Sequence, residues 1–219
     1  MPLSNYIIND VKPLLVTDKI SDLQLLFNQL TYSHIPIQNE DGIYLGCVSE
    51  NDAYCFESDK VLKECSYATE GFFVRPQATW LNVLEVFAQN NTNIMPVLGD
   101  QNEYLGYYEL NDIISLFNET PFFAEPGGIL IVEKGLQDFS MSEIAQVVET
   151  NNGKMLGAFV SKIENDLAQI TLKIGNASLN DVIQSFRRYS YNIISEIEDD
   201  VYLESLKDRS DYLNKYLSI

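Results

Sequence analysis

The sequence predicts a mixed α/β (α+β) chain. Two copies of one strand, helix, strand, strand, helix unit are followed by a segment ordered strand, helix, strand, strand, helix, strand. Three observations carry this reading. The stretch "YLGCVSEND" from Tyr44 to Asp52 returns as "YLGYYELND" from Tyr104 to Asp112, an offset of 104 − 44 = 60 residues, with Tyr, Leu, Gly, Asn and Asp recurring in place. Apolar residues spaced by three and four precede both copies, as on one face of a helix. The pattern then stops at "FNETPFFAEPGG", whose two prolines and paired glycines mark a linker.

The first copy covers residues 1–58 and begins with the extended stretch "PLLVT". A helix follows, with Leu23, Leu26, Phe27 and Leu30 on one face and Ser21 at its N-cap. The second copy, residues 59–118, repeats these events with "FFVRP", an apolar face of Leu81, Leu84 and Ala88, and Thr79 as the cap. Next come "HIPIQNEDGIYLGCV" and "IMPVLGDQNEYLGYY", each an X-Pro strand, a polar turn and a strand through Tyr-Leu-Gly, with Pro36 matching Pro96. A unit of about 50 residues present twice packs against its twin to complete a core.

After a linker at 119–127, residues 128–199 change pattern. "GILIVEKG" reads as a strand, and Ile144, Val147 and Val148 as a helix face. "KMLGAFVSKIE" and "AQITLKIG" form a hairpin about "NDL", Val182, Phe186 and Tyr189 mark a second helix, and "YNIISEIE" a final strand. This βαββαβ order is the ferredoxin-like arrangement. In the tail, residues 200–219, Leu203, Leu206, Ser210, Leu213 and Leu217 step by 3, 4, 3 and 4, so an amphipathic C-terminal helix is expected to cover its own domain or a second subunit.

Acids outnumber bases 32 to 14 over 219 residues, for a formal charge of −18, which repels phosphate backbones and anionic lipid. Neither nucleic acid nor membrane is expected as a partner. The chain opens without a basic and apolar leader and holds no apolar run near 18 residues, so a soluble, cytoplasmic protein is expected. Cys47, Cys55 and Cys65 lack C-x-x-C spacing and read as reduced thiols, with no metal site. With one histidine and no H-E-x-x-H, Cys-His or Ser-His spacing and no Gly-rich phosphate loop, no catalytic set is visible.

The order helix, h-P-h, h-G-h-h and terminal Asp across residues 1–118 resembles a tandem pair of cystathionine-beta-synthase (CBS) domains. The resemblance implies clefts between the repeats that bind adenosine-containing ligands and regulate an attached or partnered protein. It implies that Ser49 meets phosphate, that Asp52 accepts from ribose hydroxyls, and that His34, Ile35 and Pro36 line the same cleft. Asp112 takes the ribose position of the second cleft, where Glu109 replaces the hydroxyl and repels phosphate, so unequal sites are expected. Ser49-x-x-Asp52 is also the spacing of a helix capping box, which needs no ligand. Tyr44 and Tyr104 suit strand packing better than base stacking.

The following domain is similar to an ACT domain, and a CBS pair with an ACT-like domain is the layout of acetoin-utilisation-type CBS proteins. Such domains hold small effectors with an Asp-Gly loop; here Asp138 is present, but Phe139, Ser140 and Met141 stand where Pro-Gly would. Dimerisation is the expected role, and Lys162, Lys173, Glu164 and Asp166 read as a solvated hairpin face. The combined expectation is a non-catalytic homodimer sensing AMP, ADP, ATP or another adenosyl ligand, with no required cofactor and an unknown regulated protein. The alternatives are a dimeric scaffold with degenerate clefts, or an amino-acid or small-effector sensor acting through the ACT-like domain.

Overall fold

A computed structural model describes residues 3–194 of the chain. It divides into two units, Met1–Asn118 and Glu119–Ile219. In the first copy of the repeat, β1 (Leu14–Leu15), α1 (Ile20–Gln29), β2 (His34–Gln38), β3 (Tyr44–Ser49) and α2 (Glu50–Cys55) follow in order. β1 pairs parallel with β2, and β2 antiparallel with β3. The second copy supplies α3 (Trp80–Asn90), an antiparallel pair of β4 (Ile94–Leu98) and β5 (Tyr104–Glu109), and α4 (Leu110–Asn118). The expected strand "FFVRP" contributes one parallel bridge, Val74 to Val97, at the place of the Leu14–Ile37 pair. Pro76, with no N–H to donate, follows closely.

Thr79 caps α3 as expected, its hydroxyl accepting from the Asn82 N–H at 3.3 Å. Ser21 does not cap α1. That helix starts earlier, at Ile20, whose N–H donates to the Lys60 carbonyl, so Ser21 falls inside its first turn. The buried stripe of α3 is likewise Val83 and Phe87 rather than Leu81, which is 57% exposed, and Ala88. Val83 and Phe87 lie 60 residues after Leu23 and Phe27, which with Ile20 are the buried residues of α1. There are two cores, one built around Leu23, Phe27, Ile35 and Val48 of the first copy, the other around Val83, Phe87, Met95 and Tyr108 of the second together with Leu3, Tyr44 and Cys47 of the first.

The segments leading into the copies cross over. Glu70, in the leading segment of the second copy, pairs with Cys47 of the first through two backbone hydrogen bonds of 2.8 Å. Ile8, in the leading segment of the first copy, pairs with Tyr107 of the second through bonds of 2.8 and 2.9 Å. The repeated Tyr-Leu-Gly glycine permits both crossings. Gly46 and Gly106 adopt φ of +142° and +149°, and a Cβ there would come within 3.0 Å of the Glu70 carbonyl oxygen or overlap that of Ile8.

In the second unit the segment expected as linker holds a helical turn, α5 (Pro121–Ala124), whose Phe122 ring lies 5.8 Å from that of Phe159. Then come β6 (Gly128–Gly135), α6 (Met141–Thr150), β7 (Lys154–Glu164), β8 (Leu167–Gly175), α7 (Leu179–Arg188) and β9 (Asn192–Ile193). The sheet runs β7-β8-β6-β9 with every pairing antiparallel, which is the ferredoxin-like topology. Asn165 and Asp166, at φ of +51° and +58°, make the two-residue hairpin turn. Leu130, Val132, Ile170 and Leu172 cover the helices' Ile144, Val148, Val182 and Phe186. Tyr189, expected inside, is 47% exposed, and Tyr191 fills its place beside Phe186. The C-terminal helix expected at 200–219, and the end of the strand expected before it, lie outside the described residues.

Gly106→Ala should therefore destabilise the first unit by about 2–4 kcal/mol through strain and overlap. Gly46→Ala, meeting looser contacts, should cost less. Urea melts of the three proteins check the order, and equal midpoints for wild type and Gly106→Ala would show that the crossing does not depend on the glycine.

Candidate functional site

The β2–β3 ladder sets His34 directly opposite Ser49, and the β4–β5 ladder sets Ile94 opposite Glu109. His34 and Ser49 border one cleft and Glu109 another, each completed by residues of the other copy. The first cleft is a cavity of about 300 Å³. His34, Ser49, Glu50 and Asn51 form its first-copy wall, together with Ser33, and Glu70, Asn90 and Asn91 its second-copy wall. The second cleft holds about 180 Å³, between Thr31 and Tyr32 on one side and Asn93, Glu109, Leu110 and Asn111 on the other.

Side-chain size explains the difference. Tyr32 and Tyr107 lean on each other at the second cleft with ring centroids 5.4 Å apart; the residues 60 positions away on the first-cleft side are Thr92 and Cys47. The Tyr32 hydroxyl donates to Glu109 at 2.5 Å, the Tyr107 hydroxyl donates to Asp10, and the two phenol oxygens stand 2.8 Å apart. Burial, reinforced by Glu109, pushes the Tyr32 hydroxyl up to about 12, while the bond from Tyr107 holds Asp10 below the usual carboxylate range. Glu109 is thus satisfied from within the protein.

In the first cleft His34 is buried. Its Nδ1 lies 2.9 Å from Ser33 Oγ, its Nε2 3.4 Å from Glu70, and its ring meets Phe72 edge to face. Burial lowers the imidazole below its ordinary 6.5, against the opposing pull of Glu70 and Asp52. A neutral ring with its proton on Nε2, toward Glu70, lets Nδ1 accept from Ser33. Ser49 acts as a cap: its hydroxyl accepts from the Asp52 N–H at 3.1 Å and donates to the Asp52 carboxylate at 2.8 Å.

The expected site residues therefore separate. His34 and Ser49 line the first cleft, and Asp52 sits behind Ser49. The Ile35 side chain belongs to the first-copy core, and Pro36 is buried mid-strand in β2. Asp112 lies in the first turn of α4, next to Asn111 of the second-cleft wall. Sequence reading passed over Ser33, Glu70, Asn90, Asn91 and Asn93. The available signal was the polar run "QNNTN" 60 residues after "QLTYS".

Ser33 and Asn93, equivalent in the repeat, meet where the two clefts adjoin. The Ser33 N–H donates to Asn93 Oδ1 at 2.8 Å, the Asn93 N–H donates to Ser33 Oγ at 3.1 Å, and the Asn93 amide donates to the Thr31 carbonyl. Ser33, His34 and Glu70 superficially resemble a hydrolytic relay. The Ser33 hydroxyl, however, already has Thr92 and both polar ends of Asn93 within 3.2 Å besides the imidazole. Among the described residues no three His, Cys, Asp or Glu side chains gather as metal ligands would, and no helix is long and apolar enough to cross a membrane.

Two outcomes follow for stability. Ser49→Ala should cost about 1 kcal/mol by uncapping α2, measured by denaturant titration without ligand; no change would mean the cap is replaced by water at no cost. The second concerns pH. The unfolded chain takes up the His34 proton near 6.5, whereas the folded protein resists it, so stability present above pH 6.5 is lost as pH falls toward the folded value. His34→Gln should flatten the fall in melting temperature between pH 7 and 5, and parallel curves would exclude His34 as its source.

The family model of the CBS domain matches residues 66–119. A CBS domain pair/ACT domain protein from Thermotoga maritima has a similar fold, with TM-score 0.50 and 16% identity, covering 54% of this chain and 98% of that one. The cystathionine beta-synthase pair domain of a protein assigned as a magnesium transporter in Shewanella oneidensis gives 0.49 at 20% identity, over 54% and 70% of the two chains. A Vibrio cholerae protein assigned to acetoin utilisation gives 0.46 at 20%, over 53% and 90%. No curated protein sequence matches the chain. Residues 66–119 thus match the CBS domain, the copy before them is built to the same plan, and the first unit has the fold of a CBS pair, followed along the chain by a domain of ferredoxin-like topology.

Proposed function

We propose that the protein is a non-catalytic regulator that senses an adenosine-containing ligand in the first cleft and acts as a homodimer on another protein. The observation that supports this most is the inequality of the clefts: one keeps about 300 Å³ beside His34 and Ser49, while the other is narrowed by Tyr32 and its bond to Glu109. Ser49 and Asp52 are the residues proposed to meet the ligand, with Asp52 turning from the cap to the ribose. A non-catalytic role fits the four-partner Ser33 hydroxyl, and also Cys47, whose thiol burial pushes up to about 12.

Homodimerisation draws support from β7. It is an edge strand of 11 residues, exposing Phe159 and Ile163, with no strand on its outer side among the described residues. Antiparallel self-pairing centred on Phe159 would set Lys154 of one copy against Glu164 of the other.

The test is a thermal-shift panel of adenosine compounds on the full chain and on Asn51→Trp, which places an indole in the first cleft from an exposed position of α2. A shift seen with wild type and lost in the variant, at similar unliganded melting temperature, is expected. A shift that survives Asn51→Trp would move the site elsewhere, and no shift with any compound would favour the scaffold reading.

A further inference from the structure

Resting on the reading of the first cleft as a nucleoside site, we infer that it selects against a 5′-phosphate and takes nucleosides whose 5′ group is neutral or cationic. The walls carry the carboxylates of Glu50 and Glu70, with Asp52 directly behind Ser49, and neither Lys nor Arg is among the lining residues. The basic residues of 1–118 are Lys12, Lys19, Lys60, Lys63 and Arg75. Lys12 reaches Asn9, Lys60 pairs with Glu57, and Arg75 bonds the Gly99 carbonyl and Asn102 while stacking on Phe73.

The neutral donors that attract phosphate elsewhere are occupied or weak here. The Asp52 N–H, which would face an anion, already donates to Ser49 Oγ, and Glu50 and Asp52 both stand in the first turn of the six-residue α2. Carboxylates there compete with any incoming anion for the helix end. His34 supplies no positive charge near neutrality, because burial keeps its ring unprotonated. What remains is a polar pocket rich in amides, from Asn51, Asn90 and Asn91, which bonds uncharged hydroxyl and base groups readily. A phosphate dianion within several ångströms of three carboxylates is repelled, whereas an ammonium at the same position is attracted.

The experiment uses three probes that differ mainly at the 5′ position: 5′-amino-5′-deoxyadenosine, adenosine and AMP. Binding to the full chain is measured by calorimetry in EDTA at about 0.01 M salt, where screening reaches about 30 Å. The expected order of affinity is amine, adenosine, AMP, with AMP at least about tenfold weaker than adenosine. The gap should narrow in about 1 M salt, where screening falls to about 3 Å. In Glu50→Gln/Glu70→Gln, checked for folding by its unliganded melt, the ratio of AMP affinity to adenosine affinity should rise at least about fivefold, and an unchanged ratio would overturn the charge selection. AMP binding as tightly as adenosine would overturn the charge selection and leave the nucleoside site standing. No binding by any of the three would overturn the site itself, and this inference with it.

Discussion

The first unit depends on a backbone that only glycine relieves of strain. At Gly46 and Gly106 the chain takes φ near +145° without a Cβ, so a leader from the other copy can lie against each hairpin. Neither copy is closed by its own leader. The clefts follow from that exchange, because every wall of one copy faces residues held by the other. The close repeat of Tyr-Leu-Gly is thus a packing requirement before it is a binding motif.

Departures from the repeat then decide what each cleft can do. Ile8 and Glu70 are equivalent by their pairing with Tyr107 and Cys47, yet they differ by 70 − 8 = 62 residues rather than 60. The first leader is therefore two residues longer before Leu14, and that loop brings Asp10 to the Tyr107 hydroxyl. With Tyr at 32 and 107, where the other half has Thr92 and Cys47, side chains take up space at the second cleft. Its three oxygen–oxygen contacts share two phenol protons, and both go outward to the carboxylates, from Tyr32 to Glu109 and from Tyr107 to Asp10. An acid at position 109 is thereby stabilised without a ligand.

Much of the fold was legible because period and offset are backbone matters. The 60-residue repeat located both hairpins, and the βαββαβ order located the second sheet. Local periodicity and the repeat disagree in α3, and the buried face follows the repeat. Leu81 and Ala88 have helical spacing, but adding 60 to Leu23 and Phe27 gives Val83 and Phe87, which are the buried pair. Ser21 looked like a cap because capping residues are common, while tertiary pairing of Ile20 with Lys60 started the helix sooner. The cleft was less legible. Glu70 borders His34 only because a leader crosses over, and a crossing between copies leaves no local pattern in the residues that make it.

Ser33 and Asn93 give the clefts one shared contact. A Ser–Ser pair there could not bond to itself in this way; the longer amide spans the gap, accepting from the Ser33 backbone and reaching the Thr31 carbonyl. The same Ser33 hydroxyl touches His34, on the wall of the first cleft, while Thr31 and Asn93 edge the second. A side chain that moves in the roomier cleft therefore has a direct hydrogen-bonded neighbour in the narrower one. The two halves have specialised within one fold: one retains volume lined by amides and carboxylates, and the other a packed chain of hydroxyls and acids joined to it through a single asparagine.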